Sequence, residues 1–296
     1  MQITFLGTSS MVPTKDRNHT AVFLSYDTEG ILLDCGEGTQ RQFKIAGISL
    51  QKVTKILISH WHGDHVLGLP GLMQTLSSTD YDKKLQIYGP KETKKRIEKL
   101  FEAFVFDKKL DFEVHEISNG KFFENNDYIL ESYQLEHGVE TLGFAFIEKD
   151  KRKVDMKKVR KFGVSQGPLV GKLQQGQSIE FKGKKISPDD VTFMEKGKKV
   201  SYVTDTVICN GCYKAAKDSD ILICESTYSS KLMEKGEEYG HMTSKQAGML
   251  ANKSNVGKLV LMHFSARYKD TKELEEDAKD VFDNTVCAWD FMKLEL

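Results

Sequence analysis

No apolar run in this 296-residue chain approaches the roughly 18–20 residues that a helix needs to cross a bilayer, which speaks against a membrane protein. The N-terminus, Met1-Gln2-Ile3-Thr4-Phe5-Leu6-Gly7, lacks a basic leader and reads as a first strand, so no secretory signal is expected. Cysteine is scarce, odd in number and scattered (Cys35, Cys209, Cys212, Cys224, Cys287), which excludes a disulfide framework and fits a reducing cytoplasm. Cys209-Asn210-Gly211-Cys212 is a CxxC without a second pair, and it reads as structural rather than as a redox or metal site. Net charge is missing too: 43 basic and 43 acidic residues cancel, so no overall field draws the chain to nucleic acid. No internal repeat is evident. A hydrophobic content of 39% and a charged content of 29% are ordinary for a globular protein, and the length allows a sizeable core.

The distribution of charge is more telling than its sum. Between Lys149 and Lys161 eight basic residues face two acidic ones, a local excess of +6. This run (Lys149, Lys151, Arg152, Lys153, Lys157, Lys158, Arg160, Lys161) opens a glycine-punctuated stretch with Gly163, Gly167-Pro168, Gly171, Gly176 and Gly183. A basic, glycine-rich segment between two halves of a chain reads as a projecting arm that neutralises phosphates. Only the region of about 150–190 departs in composition, so residues 1–296 read as a single domain carrying one insertion.

His60-Trp61-His62-Gly63-Asp64-His65 packs four potential metal ligands into six residues, directly after the apolar run Ile56-Leu57-Ile58. Two histidines two apart on extended backbone point to the same side. Asp64 and His65 then fall where the chain turns, free to face a second ion. Neutral imidazole and carboxylate suit Zn²⁺ and its first-row neighbours. Further ligand-type residues each end an apolar run: His137 after a stretch from Tyr128, Asp205 after Val200–Thr204, and His263 after Lys258–Met262. Sites assembled at the ends of sheet strands have this pattern.

Strand-like runs occur at Ile3–Leu6, Ala21–Tyr26, Ile31–Asp34, Lys55–Ser59, Leu85–Tyr88, Phe112–Ile117, Tyr128–Leu135, Leu142–Ile147, Val200–Thr204, Ile221–Cys224, Lys258–Met262 and Val286–Phe291. Helical periodicity appears at Leu69–Ser77, Lys91–Phe104, Tyr213–Lys217, Ser244–Lys253 and Lys272–Phe282, with Thr243 or Ser244 and Thr271 as N-caps. Strands in two blocks with interspersed helices predict an α/β fold of two sheets packed face to face under outer helices.

The HxHxDH run followed by lone His, Asp and His in that order resembles the metallo-β-lactamase superfamily. Four more stretches narrow the likeness: Pro13-Thr14-Lys15-Asp16-Arg17-Asn18, Asp34-Cys35-Gly36-Glu37-Gly38-Thr39-Gln40-Arg41-Gln42, Gly240-His241-Met242-Thr243-Ser244 and His263-Phe264-Ser265-Ala266-Arg267-Tyr268. Together they resemble the short form of the ribonuclease Z (tRNase Z) family of tRNA 3′-processing endoribonucleases.

That resemblance implies an αββα sandwich with a flexible exosite arm, and two Zn²⁺ per subunit, with Mn²⁺ or Co²⁺ as possible substitutes. His60, His62 and His137 would hold one ion and Asp64, His65 and His263 the other, with Asp205 bridging. Asp64 would also orient or deprotonate the attacking water. His241 would be the general acid for the leaving 3′ oxygen, held and charge-tuned by Glu225. Lys15, Arg17 and Asn18 would face the tRNA 3′ end, and Ser265 and Arg267 a phosphate. Phe264 and Tyr268 read as packing residues. The arm, through Lys151, Arg152, Lys153, Lys157, Lys158 and the Gly167-Pro168 turn, would grip the folded elbow of precursor tRNA, one subunit of a homodimer serving the other. Two other readings stay open: a hydrolase of small phosphodiesters or sulfate esters, and an RNA-binding module with a vestigial metal site.

Overall fold

The computed structural model describes residues 1–105 and 109–296. It divides into two compact units: a larger one formed by Met1–Phe123, Leu130–Phe146 and Lys199–Leu296, and a smaller one formed by Glu124–Ile129 and Ile147–Lys198. None of the described helices is long and apolar enough to cross a membrane.

Two seven-stranded sheets dominate. The first has the order Lys293–Glu295, Gln2–Gly7, Ala21–Tyr26, Glu29–Leu33, Lys55–Leu57, Leu85–Gly89, Phe112–Glu116. Its first four strands pair antiparallel and the remainder parallel. The second has the order Thr285–Cys287, Lys258–Met262, Ile221–Glu225, Lys199–Val203, Glu140–Glu148, Tyr128–Glu136, Gly120–Glu124. Its parallel strands are near-continuous apolar runs because both faces are covered. Ile221–Glu225 is buried at every position. Its Leu222 and Cys224 pack under helices with Ala215, Leu250 and Leu274. On the first sheet Phe23, Leu32, Ile56 and Ile87 play the same part against Phe43, Leu72 and Ile97. Between the sheets, Leu24, Ile31 and Leu57 face Leu130, Phe144 and Tyr202 across a narrow apolar layer. Each fully buried side chain of this kind contributes about 1.5–3 kcal/mol.

The architecture is the expected α/β sandwich, with local departures. Thr39–Ile45 is a helix although it has few apolar residues and no side-chain cap; it starts after Gly38, whose φ is 76°. Helix Thr93–Ala103 begins two residues later than expected because Glu92 adopts a φ of 69°. The expected strand Val286–Phe291 stops at Cys287; the chain then turns through Phe291 (φ 72°) and returns as Lys293–Glu295 beside the first strand. Thr243 forms a full capping box with Gln246, whereas Thr271 starts its helix without a side-chain cap.

The smaller unit is more ordered than its glycine content implies. Lys151–Val154 pairs antiparallel with Thr192–Glu195, and Ile179–Phe181 pairs with Lys184–Ile186 around Lys182-Gly183, both at positive φ as a two-residue hairpin turn requires. Helices Met156–Lys161, Pro168–Gln174 and Pro188–Val191 complete it, the first N-capped by the Asp155 carboxylate. Val159, Val164, Val170, Leu173, Ile179, Ile186 and Val191 form its own core.

Candidate metal centre

Seven side chains converge at strand ends of the larger unit. Ser59-His60-Trp61-His62 follows strand Lys55–Leu57, and Asp64 and His65 sit on the short helix Gly63–Val66. His137 follows Tyr128–Glu136, Asp205 lies beyond Lys199–Val203, and His263 follows Lys258–Met262. Asp34, Asp205 and His263 all adopt positive φ (56°, 41° and 61°), a conformation that costs about 1–3 kcal/mol per residue and clusters at functional sites. Two close approaches fix the turns. A Cβ on Gly68 would lie 2.0 Å from the Gly36 carbonyl oxygen, so only glycine lets the Asp34–Gly36 turn meet the His65 helix. There Cys35 N donates to the His65 carbonyl at 2.8 Å, and Gly68 N to the Cys35 carbonyl at 2.9 Å.

The ligand-type atoms fall into two groups that share Asp205. In one, His60 Nε2 is 3.0 Å from His62 Nδ1 and 3.6 Å from Asp205 Oδ2, while His137 Nε2 is 3.3 Å from His62 Nδ1 and 3.9 Å from the same oxygen. In the other, His65 Nε2 lies 3.3 Å from His263 Nε2, 3.5 Å from Asp64 Oδ2 and 3.3 Å from Asp205 Oδ1. His263 Nε2 completes that group at 3.5 Å from Asp64 Oδ2 and 3.2 Å from Asp205 Oδ1. Four donors around a tetrahedral ion, with bonds of about 2.0–2.2 Å, stand about 3.4 Å apart. Both groups therefore fit a small cation, and Asp205 turns one oxygen to each. Asp64 Oδ1 is buried without a hydrogen-bond partner.

The outer nitrogens of His60, His65, His137 and His263 are occupied, which leaves their inner ones to converge. His65 Nδ1 donates to Asp34 Oδ2 at 2.8 Å, His137 Nδ1 to the Gly240 carbonyl at 2.8 Å, and Ser59 Oγ lies 3.0 Å from His60 Nδ1. Thr227 Oγ1 lies 2.9 Å from His263 Nδ1. Orienting partners of this kind fix imidazole tautomers at metal sites. Gly240 can approach His137 because it has no side chain; a Cβ there would meet His137 Nδ1 at 2.7 Å, and its φ is 72°.

Asp34 has a larger part than the sequence disclosed. Fully buried, its carboxylate accepts from Ser59 N and Oγ (both 2.8 Å), His65 Nδ1 and Tyr202 Oη (2.7 Å). Its strand-end position beside a glycine-rich turn was the available signal. The electrostatics follow. Burial holds His60 well below the ordinary imidazole range. Burial also works against a charged His65, but Asp205 and Asp34 outweigh it and raise that imidazole well above the usual value. Burial alone would raise Asp205, yet His263 and His65 hold its carboxyl well below the normal range.

Six imidazoles form a closed ring. Successive centroid distances are 4.6 Å (His62 to His60), 4.2 Å (to His65), 5.2 Å (to His263), 5.4 Å (to His241), 5.2 Å (to His137) and 5.0 Å back to His62. His241 is the member outside the two groups of four. Its Nδ1 is 3.2 Å from both Glu225 oxygens, and Glu225 also accepts from Thr206 N (2.6 Å) and Thr227 Oγ1 (2.8 Å). Glu225 is fully buried, whereas 14% of the His241 side chain is exposed. Burial opposes the imidazolium, but Glu225 prevails and pushes His241 up to about 9.

The other expected contacts are placed unevenly. Arg267 lies over Tyr228 with its guanidinium 5.2 Å from the ring, donates to Ser265 Oγ, and has no carboxylate partner among the described residues. Phe264 and Tyr268 are buried, as expected for packing residues. Lys15 is exposed, but Arg17 turns inward to donate to the Tyr268 carbonyl at 2.6 Å. Asn18 donates through its backbone to Asp290 and through its side chain to the Glu37 carbonyl. Both residues brace their loop, whereas Lys15 stands exposed with its Nζ 3.9 Å from Asp16. In the smaller unit, Lys151, Arg152 and Lys153 are paired with Asp127, Asp189 and Glu195. Lys157, Lys158, Arg160 and Lys161 have no ion pair among the described residues. Gly167 and Pro168 start helix Pro168–Gln174. Cys209 and Cys212 lie buried with Sγ atoms 3.4 Å apart, and a hydrogen bond from Cys212 brings the Cys209 thiol down to about 6.

Comparison with known proteins finds relatives over the whole length of the chain. The family described as Anti-Pycsar protein Apyc1 matches residues 1–154, the half that carries the His60–His65 run. The ribonuclease Z of Methanothermobacter thermautotrophicus is 40% identical over all of this chain and 97% of its own. The crystal structure of human tRNase Z, short form, superposes with a TM-score of 0.74 at 27% identity, covering 100% of this chain and 99% of that one. The metallo-β-lactamase fold protein YhfI from Bacillus subtilis shares the fold, with a TM-score of 0.73 at 17% identity over 100% of this chain and 98% of its own. The chain belongs to the ribonuclease Z family of metallo-β-lactamase-fold hydrolases, and its first half falls within the Apyc1 family as well.

Proposed function

We propose that this protein removes the 3′ trailer from precursor tRNA by hydrolysing the phosphodiester just 3′ of the discriminator nucleotide, leaving a 3′-hydroxyl on the tRNA and a 5′-phosphate on the trailer. The observation that carries this reading is the pair of four-atom groups sharing Asp205 beside a buried Glu225–His241 couple. Bound in the two groups, Zn²⁺, or Mn²⁺ or Co²⁺ in its place, would supply Lewis acidity for the phosphoryl oxygens and lower the pKa of water towards about 7. His60, His62 and His137 would hold one ion and Asp64, His65 and His263 the other, with Asp205 shared by both groups.

The remaining steps belong to the chain itself. Asp64 Oδ1, buried and unpartnered, is the acceptor that orients the attacking water. His241, kept protonated by Glu225, donates its proton to the departing 3′ oxygen, and its hold on the carboxylate through Nδ1 leaves Nε2 for that transfer. Arg267 and Ser265 bind a phosphate next to His263, and Lys15 meets the tRNA 3′ end. The inserted segment of about 150–190 acts as the exosite arm within a single catalytic chain, and its unpaired Lys157, Lys158, Arg160 and Lys161 meet tRNA phosphates. By the same family resemblance the enzyme works as a homodimer in the cytoplasm.

The test is an end-labelled, 3′-extended precursor tRNA incubated with the protein, with its Asp64→Ala variant, and in parallel an unstructured RNA with the same junction. A single metal-dependent cut after the discriminator, absent from the variant and from the unstructured RNA, is expected. Turnover retained by the variant would sink the ligand assignment. No cut of the precursor, with small diesters still hydrolysed, would favour the small-phosphodiester reading.

A further inference from the structure

The imidazole ring has two opposite poles, and only one is accounted for. His263 is followed by Ser265 and Arg267, while His62 stands three steps away from it in either direction around the ring. A strand held at Ser265 and Arg267 and laid across the ring would come to its far side at His62. There the structure has a recess of about 580 Å³, lined by His62 and Trp61 and edged by Lys91, Arg96, Glu92 and Glu140. Nothing in the mechanism above uses it.

We propose that this recess is a single-strand RNA subsite that receives the first nucleotides of the departing trailer, with a base against Trp61 and a phosphate on Lys91. The assignment rests on the trailer-removing reading. Trp61 is half-buried and held in plane by its indole Nε1, which donates to Thr93 Oγ1 at 2.9 Å. Base stacking on such a fixed aromatic face demands no particular sequence.

Lys91, Lys94, Lys95 and Arg96 crowd the start of helix Thr93–Ala103, where two carboxylates already sit: Glu92 at the N-cap and Glu116, whose Oε1 accepts from Lys94 N at 3.1 Å. Glu92 is engaged by Lys95 at 3.6 Å and Arg96 at 3.2 Å, and Arg96 in turn lies 5.8 Å from the Trp61 ring. Lys91 has no carboxylate partner among the described residues and is the cation left for a phosphate. Glu140 on the rim keeps the recess from being a broad basic field, so stacking together with one charge contact defines the ligand.

The test uses the chain's two tryptophans. In a Trp289→Phe background Trp61 is the sole indole, and a 5′-phosphorylated single-stranded hexaribonucleotide is titrated against the metal-loaded protein. Saturable quenching of Trp61 is expected. Anisotropy of the same oligonucleotide, labelled at its 3′ end, should show binding weakened about fivefold or more by Trp61→Ala or by Lys91→Ala, and restored by Trp61→Phe. All of these side chains are wholly or partly exposed, and a thermal melt confirms folding of each variant. No quenching, or equal affinity in Trp61→Ala and wild type, overturns the proposal. The two readings fail separately. Precursor cleavage without Trp61 quenching removes the recess and spares the activity, whereas quenching without precursor cleavage removes the trailer as its ligand.

Discussion

In the larger unit, Asp34, Asp64, Asp205 and Glu225 lie buried together with His60, His65 and His263, whereas between residues 147 and 198 Thr192 is the one buried polar side chain among the described residues. That smaller segment carries fourteen lysines and arginines against seven acids, and none of the fourteen is buried. Burying a charge costs several kcal/mol unless it is paired and hydrogen-bonded. In the larger unit the imidazole cluster meets that condition, its buried carboxylates facing imidazoles or hydroxyl and amide donors, and the buried Lys55 meets it through Glu29. A core of seven aliphatic residues has no comparable margin. The contrast separates two tasks: preorganised electrostatics need enclosure, while phosphate recognition works through exposed, salt-sensitive charge.

If the division holds, His241→Ala should produce the largest loss among changes that leave both groups of four intact, about 10²–10⁴-fold in kcat on precursor tRNA. Hydrolysis of bis(p-nitrophenyl) phosphate should fall far less, because p-nitrophenolate leaves without a proton. Equal losses on the two substrates would make His241 a structural residue and blur the comparison.

Next in size is the exposed charge. Replacing Lys157, Lys158, Arg160 and Lys161 by alanine should raise KM for precursor tRNA about 10–100-fold and flatten the dependence of log K on log salt by roughly one for each phosphate no longer neutralised. The larger part of the loss should appear on tRNA, not on the small diester. An unchanged salt slope would show that these cations do not meet phosphate.

A smaller effect sharpens the rule from the other side. Asp290 is a largely buried acid away from the imidazole ring; burial raises it to about 6 against hydrogen bonds from Asn18 and Thr8. Since its folded value lies above the unfolded value of 3.8, the protonated acid favours folding below about pH 4. That advantage is lost as pH rises through 6. The stability of wild type relative to Asp290→Asn should therefore fall by about 2 kcal/mol between pH 4 and pH 7.5, read from urea midpoints. A pH-independent difference would mean that the carboxylate is solvated in the folded state.

Much of this was legible before the fold was known, for physical reasons that differ by element. Parallel strands buried on both faces print themselves as apolar runs, so Ile221–Glu225 and Lys258–Met262 stood out, and the ligand that ends a run marked the sheet's edge. The spacing of His60, His62, Asp64 and His65 carried the metal chemistry locally. What was hidden depends on distant partners. Asp34 acquires its part only when Ser59, His65 and Tyr202 arrive from 25, 31 and 168 residues away. Thr227 matters because it touches Glu225 and His263 at once. The inward turn of Arg17 could not be read from a motif that presents it among substrate-facing residues. Helix Thr39–Ile45 was missed because glycine, rather than a capping side chain, precedes it. The order of the smaller unit was underestimated because its core aliphatics are spread thinly among lysines.

The left-handed backbone at Asp34, Asp205 and His263 bears on how such a site persists through mutation. At each of these positions glycine would relax the chain, so stability alone would favour erasing the chemistry one residue at a time. Asp34, Asp205 and His263 therefore keep their side chains at a backbone cost that their hydrogen bonds and contacts within the site must offset.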